Sequence, residues 1–277
     1  MGKKKKADNH SLKAILKNII YQLKGSVWLD GLLFRMARLQ NQKANRLYRL
    51  ENPDIVLPDD YDLYETYQIH YQKFIEDGKL AAAEIIEWTQ PYLTTNETAI
   101  LDWGCGVGRI TRHIKEQNTF AKIYACDIDK HKIEWNKAHC SDIDFSLISY
   151  VPPTCFATAQ FDLIYGISVF THIDILSQDN WLKELLRILK PTGVLLITTQ
   201  GEFYRNRLTA SQKKRLDKTG FYTQQYSKQG HRMMSSFQLP DHFKEMLSPY
   251  FIVKEFYSGK THPERMGGQD LWILQKR

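Results

Sequence analysis

Between residues 99 and 199 the chain alternates short apolar runs with longer segments of helical periodicity. Apolar runs that alternate with helices indicate a parallel sheet covered by helices on both faces. The predicted strands are 99–102, 122–126, 145–149, 161–167 and 194–199, with 180–189 as one of the intervening helices. Two more predicted strands, 250–257 and 271–275, are joined by a polar loop and should form an antiparallel pair. We therefore expect an α/β fold with a doubly wound, mostly parallel seven-stranded sheet, an antiparallel last strand and N-terminal helices.

The length of the chain favours one α/β core with an appendage, because 277 residues are few for two large domains. We expect a basic amphipathic helical arm over residues 1–50 and a linker with lid helices over residues 51–95. The α/β domain is expected over residues 96–277, with a cap insertion at about 201–240.

Positive charge is concentrated in the arm. Residues 1–50 hold 12 Lys or Arg and two Asp, whereas the whole chain has a net charge of +7. Apolar residues recur at helical spacing from Leu12 to Leu23, with lysines off the apolar stripe. Such a helix can lie on an anionic membrane surface, or it can pack on the α/β domain or on a second subunit of a homo-oligomer. Because the basic excess lies outside the α/β domain, the charge pattern disfavours a nucleic-acid partner.

The sequence contains no run of about 18 uncharged apolar residues and no secretory signal pattern at its start. We expect a cytoplasmic protein, with peripheral attachment to the inner face of the cell membrane as an alternative. The four cysteines are widely spaced, which indicates neither a disulfide framework nor a zinc knuckle. No cluster of acidic or amide side chains is evident near the predicted fourth strand, so we expect no metal.

A glycine-rich turn follows the first predicted strand. The segment from Asp102 to Arg109 reads Asp-Trp-Gly-Cys-Gly-Val-Gly-Arg. Glycines let the backbone pass close to a ligand, but dinucleotide sites space them as G-x-G-x-x-G, and here the third glycine comes one residue earlier. The carboxylate of Asp102 suits a ligand that carries an ammonium group. The pattern therefore favours S-adenosylmethionine (SAM) over a nicotinamide dinucleotide.

The second predicted strand ends in an acidic tip about twenty residues later. Asp127 stands where a carboxylate can accept hydrogen bonds from a ribose diol. For Asp129 we favour a different role, as the cap of the helix that begins at Lys130.

Residues 99–200 resemble the core of class I SAM-dependent methyltransferases. The matching stretches are LDWGCGVGR, CDID, FDLIYGISVFTHI and WLKELLRILKPTGVLLITTQG. The SVFTHI variant and the closing GGQDLWILQKR also resemble methyltransferases of bacterial glycan or secondary biosynthesis. The resemblance implies cofactor-binding roles for the glycine-rich turn (Asp102, Gly104, Cys105, Gly106, Gly108), the ribose-binding tip (Asp127), the adenine pocket (Ile128, Ser149, Tyr150) and the end of the fourth strand (Tyr165).

Methyl transfer to a hydroxyl requires alignment of the reactants and a base. His172, four residues beyond Ser168, is the leading general-base candidate because imidazole titrates near neutral pH. The alternative is that His172 only orders the turn. Predicted lid or substrate residues are Tyr64, Tyr67, His70 and Tyr71 before the glycine-rich turn and His231 in the cap. The tyrosines can equally form an aromatic stripe that packs a helix onto the sheet.

We expect a SAM-dependent methyltransferase that O-methylates a sugar hydroxyl of a bacterial surface glycan or its precursor. The alternative is an N-, O- or C-methyltransferase of small molecules in secondary metabolism. A SAM-binding scaffold and an RNA methyltransferase fit less well. Enzymes that methylate amino groups of DNA bases usually carry Pro-Pro-aromatic at the tip of the fourth strand, and this chain has Tyr-Gly-Ile-Ser there.

Overall fold

The computed structural model describes residues 26–94, 98–118, 120–225 and 234–277. Its helices are α1 (Ser26–Glu51), α2 (Asp60–Thr66), α3 (Tyr71–Thr89), α4 (Thr111–Gln117), α5 (Lys130–His139), α6 (Ile175–Ile188), α7 (Ala210–Thr219) and α8 (Pro240–Leu247). Its strands are β1 (Ala99–Trp103), β2 (Lys122–Asp127), β3 (Asp144–Leu147), β4 (Phe161–Gly166), β5 (Leu189–Thr199), β6 (Phe221–Gln225), β7 (Met234–Gln238), β8 (Phe251–Tyr257) and β9 (Asp270–Lys276). Short 3₁₀ turns occupy Gln90–Tyr92, Phe170–His172, Tyr204–Arg207 and Arg265–Gly268.

The main sheet has seven strands in the order β3-β2-β1-β4-β5-β9-β8. The strands from β3 to β5 run parallel, and β9 lies antiparallel to both β5 and β8. This topology confirms the predicted fold class, including the antiparallel last strand. The order reverses beside β1, so a crevice opens between the carboxyl ends of β1 and β4, where open α/β sheets bind their ligands.

Two elements begin five residues before the predicted positions, for physical reasons. Strand β5 begins at Leu189 rather than 194, because Leu189 already pairs with Phe161 of β4. Helix α6 begins at Ile175 rather than 180, because the Asp174 side chain accepts a hydrogen bond from the backbone N–H of Ser177 at 2.9 Å.

Both faces of the sheet are buried. Ile100 and Leu101 of β1 belong to two different apolar clusters, as expected when successive side chains of a strand point to opposite faces. On one face Trp103 packs against Phe170 and Trp181, with ring centroids 5.4 and 4.9 Å away. This packing fixes the carboxyl end of β1, from which the glycine-rich turn leaves.

The described part of the predicted arm packs on the protein. Phe34 and Tyr48 of α1 join an apolar cluster that includes Phe74 of α3. The Asn45 side chain also accepts a hydrogen bond from the backbone N–H of Tyr71 at 3.0 Å. The amphipathic run over residues 12–23 lies outside the described residues. Among the residues that the structure describes, no helix is both long and apolar enough to cross a membrane.

The predicted cap contains α7 and a separate two-stranded antiparallel sheet of β6 and β7. The backbone N–H of Gln238 donates to the carbonyl of Gln200 at 3.0 Å, which joins the cap to the end of β5. His231, one of the predicted substrate residues, lies outside the described residues.

Candidate active site

A cavity of about 1180 Å³ opens at the carboxyl ends of β1, β2 and β4. Its walls come from the glycine-rich turn, the tip of β2, the segment after β4, helix α3 and the loop before β9. A further wall is the lid segment, residues 60–67, which contains α2 and Tyr67. A cavity of this size can hold a cofactor together with a small acceptor.

The turn after β1 requires glycine at two positions that line the cavity. Gly104 and Gly106 have positive φ values of +80° and +55°, a region that other residues rarely adopt. A Cβ on Gly104 would lie 2.5 Å from Val169 Cγ2, and one on Gly106 would lie 3.1 Å from Thr66 Cγ2. Both glycines therefore let the backbone form the floor of the cavity.

Gly108, the third predicted glycine, lies outside the cavity wall and faces α5. A Cβ on it would lie 2.9 Å from Asn136 Oδ1, and the Asn136 side chain donates to the Gly106 carbonyl at 2.8 Å. Gly108 therefore supports the turn by letting it pack closely on α5.

Asp102 is a buried carboxylate at the end of β1, where it lines the cavity. Its Oδ2 accepts hydrogen bonds from Thr111 Oγ1 at 2.5 Å and from the Tyr165 hydroxyl at 2.8 Å. Burial raises the pKa of Asp102 to about 7. Tyr165 thus stands behind the wall as a donor to Asp102, and Oδ1 of Asp102 remains for a ligand.

Cys105 lines the cavity between the two glycines. Burial raises the pKa of its thiol well above the usual value, so the side chain is a neutral thiol at physiological pH.

Asp127 joins the tip of β2 to the glycine-rich turn. One carboxylate oxygen accepts the Gly106 N–H at 2.8 Å, and the other accepts the Asp129 N–H at 2.9 Å. Burial raises the pKa of Asp127. Asp129 caps α5 by accepting the N–H of His131 at 3.0 Å, which confirms its predicted role.

Two of the three residues predicted to form the adenine pocket line the same cavity. Ile128 and Tyr150 line the wall, whereas Ser149 is exposed and lies outside it. Trp181 of α6 also lines the wall, and its indole N–H donates to the Tyr150 carbonyl at 3.0 Å. Trp181 was missed because nothing in its local sequence indicates that α6 reaches the cavity.

Tyr67 is the one predicted lid residue among Tyr64, Tyr67, His70 and Tyr71 that lines the cavity. Its ring lies under the Arg109 guanidinium, with the cation 4.4 Å from the ring centroid. Its hydroxyl donates to Asp77 of α3 at 2.7 Å. The side chain therefore connects the lid segment to both the glycine-rich turn and α3.

The other three predicted lid residues lie outside the cavity wall and make contacts between or within the N-terminal helices. The Tyr64 hydroxyl donates to Asp30 at 3.2 Å, and the Tyr71 hydroxyl donates to Asp60 at 2.7 Å. His70 caps α3 by accepting a backbone N–H.

An ion pair that was not predicted from the sequence connects the lid segment to α5. Lys132 Nζ lies 3.1 Å from Glu65 Oε2, and both side chains are largely buried. Lys132 also lies 3.5 Å from Asp129. The sequence offers no signal for this pair, because the two partners are 67 residues apart. Lys and Glu are also both typical of a solvated helix surface.

His172 lies on the cavity wall in the turn after β4. Its Nδ1 is 2.7 Å from the carbonyl oxygen of Met234 in the cap. A carbonyl can only accept, so Nδ1 carries the hydrogen and Nε2 of the neutral ring is the basic nitrogen. Nearby, Ser168 has a positive φ of 65°, and its hydroxyl accepts a hydrogen bond from Gln269 at 2.5 Å.

The segment that forms much of the cavity wall matches a known protein family. Residues 101–195, about one third of the chain, match the family described as a methyltransferase domain. These residues include the last part of β1, the glycine-rich turn, Asp127 and His172. Residues 101–195 therefore form a methyltransferase domain.

The chain is also similar to three individual proteins. A malonyl-[acyl-carrier protein] O-methyltransferase of Priestia megaterium (strain DSM 319 / IMG 1521) is 30% identical over 131 residues, which are 47% of each chain. A pavine N-methyltransferase of Thalictrum flavum subsp. glaucum is 24% identical over 60% of this chain and 45% of its own. This chain thus spans about half the length of the curated relatives it matches. The crystal structure of a SAM-dependent methyltransferase from Methanosarcina mazei has a TM-score of 0.54 at 18% identity, over 68% of this chain and 96% of that one, and shows the same fold.

The residues around the cavity fit SAM. Asp102 Oδ1 would hold the ammonium group, the backbone at Gly104 and Gly106 leaves space for the methionine part, and Asp127 would hold the ribose. Ile128 and Tyr150 would enclose the adenine. When bound there, SAM supplies an activated methyl group.

Proposed function

We propose that this chain transfers a methyl group from SAM to a hydroxyl of a small polar acceptor, with a sugar of a bacterial surface glycan or its precursor as the acceptor class. The observation that carries the proposal is His172, whose Nδ1 is held by the Met234 carbonyl at 2.7 Å on the cavity wall. The glycan part rests on the resemblance of the SVFTHI and GGQDLWILQKR stretches. An O-methyltransferase among the relatives supports an oxygen acceptor in general.

The proposed reaction requires little covalent chemistry from the protein. The acceptor oxygen attacks the methyl carbon in line, and the sulfur–methyl bond breaks so that S-adenosylhomocysteine leaves. The protein must therefore align the two molecules and remove one proton. His172 Nε2 accepts the hydroxyl proton as the oxygen–carbon bond forms. The lid segment closes one side of the cavity, and this excludes water that would compete for the methyl group.

Replacement of His172 by asparagine tests this role. Asn can donate to the Met234 carbonyl as Nδ1 does, but it offers no base. With an acceptor found by monitoring S-adenosylhomocysteine (SAH) release from a panel of sugars, nucleotide sugars and amines, His172→Asn should lower kcat about 100-fold or more. The affinity of the His172→Asn variant for SAH should equal that of the wild type. As a control, His139→Asn on α5 should have the kcat of the wild type. An unchanged kcat with a hydroxyl acceptor would rule out the base.

An amine is a second candidate acceptor, because three carboxylates line the side of the cavity formed by α3 and the loop before β9. These are Asp77, Glu84 and Glu264. Carboxylates attract a cationic amine, and one relative is a pavine N-methyltransferase. If the acceptor is an amine, Glu84→Gln should raise its KM, whereas the KM of a hydroxyl acceptor should not change.

We also propose that the basic arm, residues 1–50, brings the domain to an anionic membrane surface, where lipid-linked glycan precursors are found. In support, Leu39 and Leu50 on the outer face of α1 are 70% and 72% exposed and stand among arginines such as Arg46. The full chain should sediment with phosphatidylglycerol vesicles at low salt and not with phosphatidylcholine vesicles. Leu39→Glu should reduce this binding, and equal sedimentation of the variant and the wild type would argue against α1 as a contact.

A further inference from the structure

Three side chains with metal-binding atoms meet where α2 lies against α5, outside the cavity. Asp59 and Asp62 come from the start of α2, and His131 comes from the first turn of α5. One ligand atom from each lies within 4.8 Å of the other two. None of the three lines the cavity or takes part in the proposed methyl transfer.

Asp62 is the member of this cluster that requires a partner. The residue is only 5% exposed, and its Oδ2 is buried without a hydrogen bond. Another member of the cluster, His131 Nδ1, lies 3.4 Å from this oxygen. A buried carboxylate without hydrogen bonds destabilises a fold unless a positive charge compensates it.

The charges around the cluster leave room for a cation. Lys132 Nζ lies 3.1 Å from Glu65 and 3.5 Å from Asp129. Its positive charge therefore compensates the carboxylate of Asp62 only at longer range.

The ligand set resembles a metal site in its chemistry. Asp59 Oδ1 accepts the N–H groups of Tyr61 and Asp62 at 2.9 Å each, which leaves its second oxygen for a cation. Two carboxylates and one imidazole suit Zn²⁺ and similar divalent transition metals, whereas Mg²⁺ and Ca²⁺ prefer oxygen ligands alone. The separation of 3.4 Å between His131 Nδ1 and Asp62 Oδ2 matches two ligands about 2 Å from one tetrahedral ion.

We propose that Asp59, Asp62 and His131 bind one divalent transition-metal ion of the Zn²⁺ type, which fastens α2 to α5. The site departs from the expectation of no metal, which considered only the surroundings of the fourth strand. Its role is positional. Helix α2 ends at Thr66 and is followed by Tyr67, and both residues line the cavity. An ion here therefore holds the lid segment against the helix that follows Asp127.

Titration of the untagged, metal-free full-length chain with Co²⁺ tests the site, with the visible absorption of the bound ion as the signal and Zn²⁺ as the competitor. We expect one ion per chain. His131→Ala and Asp62→Asn should each weaken binding about 100-fold or more, because even loss of an outer partner of a metal ligand costs 10–100-fold. His139→Ala, at the other end of α5, should bind as wild type.

The site is disproved if the wild type takes up no Co²⁺ or Zn²⁺ at millimolar concentration, or if His131→Ala binds as tightly as wild type. Either result would mean that His131 and Asp62 form an ion pair only. The His131 side chain is 65% exposed, so its replacement should leave the fold intact even if Asp62→Asn does not fold. The readout needs no methyl acceptor, and it is therefore independent of the proposed function.

Discussion

Asp102 links the protonation state of the site to cofactor binding. Its pKa is raised to about 7 by burial, and the proposed contact with an ammonium group requires the ionised form. For a carboxyl with a pKa near 7, the ionised fraction is roughly 0.1 at pH 6 and roughly 0.8 at pH 7.5. The affinity for SAH should therefore be about eightfold higher at pH 7.5 than at pH 6.

The raised pKa of Asp102 also makes the stability of the fold depend on pH. The folded-state pKa of Asp102 lies above the usual value of 3.8, so its contribution to folding is fully present below that value and is lost as pH rises through about 7. The ligand-free protein should thus lose thermal stability between pH 6 and 8. Bound SAH should reduce the loss, because its ammonium group compensates the carboxylate.

Asp102→Asn separates this effect from other titrations, including that of Asp127. An asparagine oxygen can still accept from Thr111 and Tyr165, so the local structure should remain. Isothermal titration of SAH at pH 6 and 7.5 should show the pH dependence in wild type and not in Asp102→Asn. Equal affinities at the two pH values in wild type, or an unchanged pH dependence in the variant, would refute the assignment.

Two further predictions concern packing. Phe170→Ala removes a ring packed 5.4 Å from Trp103 and 5.6 Å from Phe243, and it should lower the free energy of unfolding in urea by about 3–5 kcal/mol; a loss below about 1 kcal/mol would mean that the site collapses. Lys132→Met breaks the ion pair with Glu65 and should cost about 1–3 kcal/mol in the same assay. It should also weaken SAH binding, and unchanged SAH affinity would show that the pair does not position the lid segment.

The alternation of strands with helices and the glycine-rich turn could be predicted because local chemistry determines them. Gly104 and Gly106 need the freedom of glycine where side chains crowd the turn, and Asp129 caps a helix that begins at the next residue. These features follow from residue type and spacing along a short stretch. The start of β5 at Leu189 does not, because it depends on pairing with Phe161 of a different strand.

Other parts of the site depend on contacts between distant segments. The spacing of Tyr64, Tyr67 and Tyr71 is the same for a stripe that packs helices and for one that lines a cavity, and only Tyr67 does the latter. Trp181 lines the cavity and packs on Trp103 of β1, a contact between segments that are far apart in sequence. The β6–β7 hairpin is polar in sequence, and strand formation in such segments depends on the pairing partner more than on propensity.

Calorimetric titration with SAM and SAH, repeated on Asp127→Ala, tests the central assignment most directly. The glycine-rich turn and the tip of β2 predict micromolar binding of both ligands. Asp127→Ala should weaken it at least about tenfold, because hydrogen bonds to a charged group contribute ~1.5–3 kcal/mol. Asp144→Ala, an exposed carboxylate at the far end of β3, should bind as wild type. Absence of binding to either ligand, or wild-type affinity in Asp127→Ala, would contradict the cofactor site described above.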